Sequence, residues 1–394
     1  MKLRAVAIAT LMAVMSLVLP SPAQALDPNS VAGLFQRLTA SNFLSNPSVV
    51  LIDELTGEVV FEKNAQSLRK PASVLKIYSG VAALTYLNPD QTYPTIVSLG
   101  LEPKSLVIRG SLDPWIGLDD RVARKMGRTS LPRIGHNTLS QLKAANGGST
   151  KNSTIYYSDL YSQDVANLKA FYKKRGFNPK FKAVDHVTAM SKEGDLILTS
   201  QSPTLNTILA FTLTWSDNLL ADRIARLASR EAGHAPNDAG VAQTFVEVLD
   251  GLDIDSANLT VKDASGLSRD NRVTARQVGQ LLVKIRNDPK FAPVINGLPV
   301  GGVSGTLRNR FSETAPEAVG LVRAKTGTLN GTANLAGYVE AGDREYAFVI
   351  IADQLRRSSV ASKRARDTVD RILGKLALPF APQPVVETPV VTES

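Results

Sequence analysis

The sequence predicts an α/β fold of the α+β kind: an antiparallel sheet flanked by helices and interrupted by an inserted, smaller β-rich domain. Three observations carry this expectation. Strand-like runs stand near both ends of the chain, at 49–53, 58–62, 335–339 and 345–351, with strongly helical segments between them. From about residue 91 to 204 the texture changes to short strand candidates separated by polar and Gly-rich pieces such as Asn146-Gly147-Gly148-Ser149. Of the 394 residues, 43% are hydrophobic and 21% charged, a globular balance at a length that suits two or three domains.

Taken in order, Lys2 and Arg4, the uncharged apolar stretch Ala5 to Leu19 and the small-x-small site Ala23-Gln24-Ala25 read as a signal peptide over 1–25. The apolar run is too short to span a bilayer and no later run reaches that length. An exported chain with no integral membrane span is therefore expected, and its complete lack of Cys fits a bacterial one, periplasmic or extracellular and associated with the wall. The same lack excludes disulfides, a thiol nucleophile and thiolate metal sites. The formal charge of +9 falls to +7 without Lys2 and Arg4, and the cations are spread along the chain. That spread argues against a nucleic-acid partner and leaves an anionic polymer admissible.

Val31, Leu34, Phe35 and Leu38 mark an amphipathic helix over 26–38, and Glu54-Leu55-Thr56-Gly57 marks a hairpin. Pro71 is placed as a first-turn proline before a buried helix, Val74 to Leu87, which Asn88-Pro89-Asp90 ends. Within the insert, strands are expected at 105–109, 154–157 and 195–199. Helical pattern returns from Leu205 to about Ala232, near 239–249 and over 274–286. Ala341-Gly342-Asp343 joins the last two strands, and a basic helix runs from Ser358 to Leu376. The Pro-rich end, 379–394, is expected to be disordered. The division is thus 26–90 with 205–378 as one discontinuous catalytic domain, and 91–204 inserted.

His136, His186 and His234 lie about 50 residues apart with no ligand spacing, so neither a metal site nor a Ser-His-Asp triad has support. There is no GxSxG, Walker or GxGxxG motif. A lysine can act as the base if it is neutral, and Ser and Lys at i and i+3 of a helix share a face. SxxK occurs three times, at Ser67, Ser73 and Ser140. Lys70 precedes Pro71 and is biased out of the helical region. Ser140 sits in a polar helix ended by Asn146-Gly147-Gly148. Ser73 with Lys76 heads the most apolar helix of the chain, where backbone N–H groups favour developing negative charge. Ser216-Asp217-Asn218 leads into an amphipathic helix, unlike its rival Ser256-Ala257-Asn258. Lys325-Thr326-Gly327-Thr328 holds the only KTG. The order SxxK, SxN, KTG is far more specific than any one of the three.

On these motifs the sequence resembles the low-molecular-mass class C penicillin-binding proteins, the serine D-alanyl-D-alanine carboxypeptidases and endopeptidases. Asp263-Ala264-Ser265-Gly266-Leu267-Ser268-Arg269, Leu298-Pro299-Val300-Gly301-Gly302 and Gly305-Thr306-Leu307 extend the resemblance over most of 47–87 and 202–352. It implies a penicillin-binding/serine β-lactamase-like catalytic domain that needs no cofactor or metal, acts on peptidoglycan stem peptides and is inhibited by β-lactams. By the same resemblance Ser73 is the nucleophile, Lys76 its base and Ser216 a proton relay. Asn218 would meet the substrate amide, and Lys325 with Thr326 the terminal carboxylate. Lys325 would also help keep Lys76 neutral, and the N–H groups of Ser73 and Thr328 would form an oxyanion hole. The stretch between Ser73 and Ser216 is shorter than in a full-size class C member with two inserted subdomains.

Two rivals remain at this point: a β-lactamase, which lacks its ExxxN element because Glu247 is followed by Val248-Leu249-Asp250-Gly251, and a wall-binding protein without turnover. Blander readings apply elsewhere. Asp113-Pro114 reads as a structural turn and Asp159 as a surface-loop acid. Arg356, Arg357, Lys363, Arg364 and Arg366 read as a solvated basic face.

Overall fold

Side chains alternate across a strand, so a strand buried on both faces sorts its residues into two separate cores. The computed structural model describes residues 26–377, so the signal peptide over 1–25 and the tail over 379–394 lie outside the described residues. Helix α1 (Pro28–Leu38) precedes a hairpin of β1 (Ser48–Asp53) and β2 (Val59–Lys63). A 3-10 turn, Ala72–Leu75, then runs into α2 (Lys76–Tyr86). The middle of the chain forms β3 (Pro94–Gly100), β4 (Ser105–Arg109), α3 (Asp120–Lys125), α4 (Leu131–Ala145), β5 (Thr154–Ser158), α5 (Ser162–Lys173), β6 (Lys180–Ala183), α6 (His186–Ser191) and β7 (Glu193–Gln201). There follow α7 (Leu205–Trp215), α8 (Asn218–Glu231), α9 (Asp238–Asp250), α10 (Ala275–Arg286) and α11 (Ala292–Gly297). The chain closes with β8 (Val322–Leu329), β9 (Thr332–Ala341), β10 (Arg344–Ala352) and α12 (Ser359–Ala377).

The larger sheet has the order β2-β1-β10-β9-β8, every pair antiparallel. Val50 and Ile52 of β1 with Ala347, Val349 and Ile351 of β10 pack into the core under α2, α8 and α10. Val49, Leu51, Tyr346, Phe348 and Ile350 face the opposite core, which α1 and α12 cover. Two-sided burial explains why β10 reads as a continuous apolar run. Helix α2 lies between sheet and helices with every residue from Lys76 to Leu84 buried, so its one charged side chain is forced into the interior.

The second sheet, β6-β5-β4-β3-β7, belongs wholly to residues 94–201. It is mixed: β4 pairs parallel with β5, and β5 with β6. Parallel neighbours cannot be joined by a hairpin and need crossovers, which α3 and α4 supply for the first pair and α5 for the second. The insert therefore carries four helices besides its strands, and Leu106, Ile108, Ile155, Leu168 and Tyr172 form its own core.

One expectation needs correcting. The helix expected from Leu205 to about Ala232 is two helices, because Ser216 takes the left-handed region at φ 60° and Asp217 starts a new helix by accepting the Leu220 N–H at 3.0 Å. The strand β8 is only weakly announced by its sequence, since Arg323, Lys325 and Thr326 interrupt apolar alternation; ten-residue β9 pairs with it along its whole length.

Candidate active site

Pro71 and Ala72 set the turn that carries Ser73. Ala72 adopts φ 48°, a costly region for a side chain with Cβ, and Gly266 packs so closely that a Cβ there would lie 1.8 Å from the Ala72 carbonyl oxygen. Asn334 of β9 donates through Nδ2 to the carbonyls of Lys70 and Pro71, both at 2.9 Å, and accepts the Ala352 N–H at 3.1 Å. A buried ion pair, Arg69 with Asp353 at 3.1 Å, fixes the approach to the same turn. Ser73 is thus held from three directions, half-buried, at the edge of a cavity of about 430 Å³.

Lys76 has no solvent exposure. Its Nζ lies 2.9 Å from Ser73 Oγ, 2.7 Å from Asn218 Oδ1 and 2.6 Å from the Ser265 carbonyl. A neutral amine has two N–H bonds and one lone pair, so it can donate to Asn218 and Ser265 while its lone pair faces the serine hydroxyl. Burial pushes the amine down to about 8, against the pull of the Asp222, Asp263 and Asp217 carboxylates. Burial also lifts Asp222 to about 6, helped by the charge of Asp263. Asp263 moves the other way: burial opposes its ionisation, but the N–H groups of Ser268, Gly266 and Ser265 and the Ser265 hydroxyl hold its carboxyl low. Asp263 and Asp222 therefore both stand ionised near Lys76 at neutral pH, Asp222 close to its titration range.

The other sequence-nominated residues converge here. Ser216, Asn218, Thr326 and Thr328 line the same cavity as Ser73. The left-handed turn at Ser216 and the Asp217 cap present Ser216 and Asn218 to the cavity, and β8 presents Thr326 and Thr328. Lys325 differs from its expected place. It is wholly buried, donates to the Thr326 carbonyl at 3.3 Å and is not among the residues lining the cavity. Burial first, and the charge of Lys76 second, hold its amine far below the ordinary lysine value. The coupling between the two amines thus shows at Lys325, while burial is the cause at Lys76.

The remaining SxxK serines are elsewhere, Ser67 in a non-helical stretch and Ser140 exposed with Lys143 on α4. Glu247 is engaged by His234 at 2.7 Å and Tyr86 at 3.1 Å, and no carboxylate among the described residues lines the cavity. Asp159 pairs with His186 at 2.6 Å, and Asp113 is buried with its Oδ1 accepting the Trp115 N–H at 2.8 Å, as a structural turn requires. No cluster of metal-ligating side chains is found among the described residues.

The sequence model of the D-Ala-D-Ala carboxypeptidase 3 (S13) family matches residues 144–376. The chain belongs to that family. It is a low-molecular-mass class C penicillin-binding protein and a serine-type peptidase. Carboxypeptidase DacB of Mycolicibacterium smegmatis is 29% identical over 82% of this chain and 80% of its own length. A D-alanyl-D-alanine carboxypeptidase of Actinomadura is 38% identical over 42% of this chain and 31% of its own length. Among solved structures, penicillin binding protein 4 of Haemophilus influenzae superposes with a TM-score of 0.65 at 18% identity, over 89% of this chain and 99% of that one. A predatory endopeptidase of Bdellovibrio bacteriovorus gives 0.56 at 17% identity, over 84% and 93%. At these identities the superpositions speak for the fold alone.

Several residues around Ser73 and Lys76 carry no assignment from the sequence. Ser265, whose carbonyl accepts from Lys76, and Asp263 lie in a block with a visible signature, Asp-Ala-Ser-Gly, but their contacts run through the backbone. Asp222 and Asn334 carry no local signal at all. Thr306, Arg310 and Arg366 also line the cavity. The sequence places Arg366 on a solvated helix face, which a linear pattern cannot distinguish from a face turned toward a cleft.

Proposed function

We propose that this S13 peptidase removes the terminal D-alanine from peptidoglycan stem peptides through an acyl-enzyme on Ser73, and that β-lactams acylate the same serine. The reading rests on one observation above the rest, the 2.9 Å approach of Ser73 Oγ to a fully buried Lys76 amine whose other two polar neighbours are both acceptors. Lys76 takes the hydroxyl proton as Ser73 Oγ bonds to the scissile carbonyl carbon. The N–H groups of Ser73 and Thr328 stabilise the oxyanion, a contribution of about 3 kcal/mol per donor. Ser216 passes a proton to the departing amine, so D-Ala leaves neutral at nitrogen, and water then cleaves the ester and restores Ser73. Asn218 holds the substrate amide while sharing Lys76, and Thr326 borders the leaving group.

Among the described residues no carboxylate faces the cavity to activate water against a rigid acyl group, which favours slow release of a β-lactam over β-lactamase turnover. The same chemistry would open a cross-link between stem peptides, so endopeptidase activity belongs to this reading. Work on a wall substrate goes with export to the periplasm or wall, with 26–90 and 205–378 as the catalytic domain and 91–204 as its insert. Release of free D-Ala from a synthetic pentapeptide ending in D-Ala-D-Ala tests the proposal. Wild type should release it and Ser73→Ala should not; no release by wild type would remove the carboxypeptidase reading.

A further inference from the structure

The leaving-group end of such a substrate carries a carboxylate, and the cavity needs a cation to meet it. Lys325, the nominated residue, is sealed from the cavity and its amine is disposed to be neutral beside Lys76. Two arginines line the cavity instead, Arg310 and Arg366. Arg310 is already occupied: its guanidinium is bonded to Asp370 through Nη2 and, at 3.4 Å, through Nε, and it donates to the Arg366 carbonyl at 3.4 Å. Asp370 also accepts from Thr314, and the neighbouring Asp367 is taken by Lys363 at 2.7 Å. The Arg366 guanidinium makes no hydrogen bond or ion pair among the described residues, although it is half-buried and acids stand on its own helix. In the same cavity Thr306 Oγ1 and Thr326 Oγ1 lie 2.9 Å apart, two hydroxyls bonded to each other and able to turn toward an anion.

We infer that Arg366, reaching the cleft from the C-terminal helix α12, binds the free carboxylate at the leaving-group end of the substrate, with the Thr306 and Thr326 hydroxyls completing the subsite. This rests on the carboxypeptidase reading and specifies which residue gives it its preference for a chain end. A guanidinium suits the task because it offers two parallel N–H donors in the plane of a carboxylate and keeps its proton in poorly solvated surroundings where an amine gives it up. The division of labour also separates two demands that conflict in one residue. Lys325 can be neutral while Lys76 is charged, and the substrate's carboxylate still has a permanent partner.

The test compares a peptide ending in D-Ala-D-Ala with its C-terminal amide, in wild type, Arg366→Gln, Arg366→Lys and Lys325→Ala. Arg366→Gln should lower kcat/KM on the acid by about 10- to 150-fold, the range for a hydrogen bond to a charged group. The amide should change less than about threefold, and Arg366→Lys should recover part of the loss on the acid alone. Equal losses on acid and amide in Arg366→Gln, or an acid-specific loss in Lys325→Ala with Arg366→Gln unaffected, would overturn the assignment. Failure of wild type on both peptides would instead reject the carboxypeptidase reading itself.

Discussion

Acylation of Ser73 should track the free-amine fraction of Lys76. Burial brings that amine to about 8, whereas an ordinary lysine titrates at 10.5. At pH 7 the ordinary amine is free base in about one molecule in three thousand and the buried one in about one in ten, roughly a 300-fold gain in competent enzyme. The rate of acylation by a fluorescent penicillin, followed by stopped flow, should therefore rise about tenfold per unit below pH 8 and level off above it. Asp222→Asn sharpens the test because an amide oxygen can still accept the Ala264 N–H that Asp222 Oδ1 accepts at 2.9 Å, while one of the anions that favour the ammonium is gone. Removing it makes the charged amine less stable, so the midpoint should move to lower pH and acylation at pH 6.5 to 7 should become faster. Asp222 itself titrates near 6, so the comparison belongs above that pH, where wild type carries the charge. A flat profile, a midpoint near 10, or an upward movement in Asp222→Asn would refute a buried neutral lysine as the base.

Two further consequences concern stability and the turn that carries Ser73. Because the folded-state value of Lys76 lies below the unfolded one, its charge opposes folding below pH 8 and the penalty fades as pH rises from 8 to 10.5. Lys76→Met should accordingly raise unfolding free energy at pH 7 by at most about 3 kcal/mol, less what the abandoned acceptors of Asn218 and Ser265 take back, and the gain over wild type should shrink by pH 10 in denaturant titrations. Gly266→Ala forces a Cβ onto the Ala72 carbonyl at a residue with φ 82°, so acylation should fall at least tenfold and the melting temperature should drop; an unchanged acylation rate would show that the Ala72 turn does not position Ser73.

The fold was legible where pattern and burial coincide. The β1 and β10 runs, the apolar α2 and the capped α10 could all be placed from sequence, because their side chains carry the periodicity that burial demands. The helices of the insert were harder, since parallel pairing of β4, β5 and β6 is a tertiary choice that no local window announces. The break at Ser216 was missed because Leu213, Leu219 and Leu220 keep the helical spacing on either side of it, and only the left-handed φ and the Asp217 cap interrupt the backbone. The site followed the same rule. Ser73, Lys76, Ser216, Asn218 and the KTG strand stand in motifs whose spacing has a chemical reason. The depth at which Lys325 is buried, the acids behind Lys76 and the exposure of Arg366 to the cleft depend on residues far apart in sequence, and only packing brings them together.

Peptide-mapped mass spectrometry of enzyme quenched during turnover of a D-Ala-D-Ala peptide tests the central claim most directly. An adduct equal to the substrate less one D-Ala should be found on the fragment containing Ser73, and be absent from Ser73→Ala. Continued D-Ala release by Ser73→Ala, or an adduct on any other residue, would contradict the account.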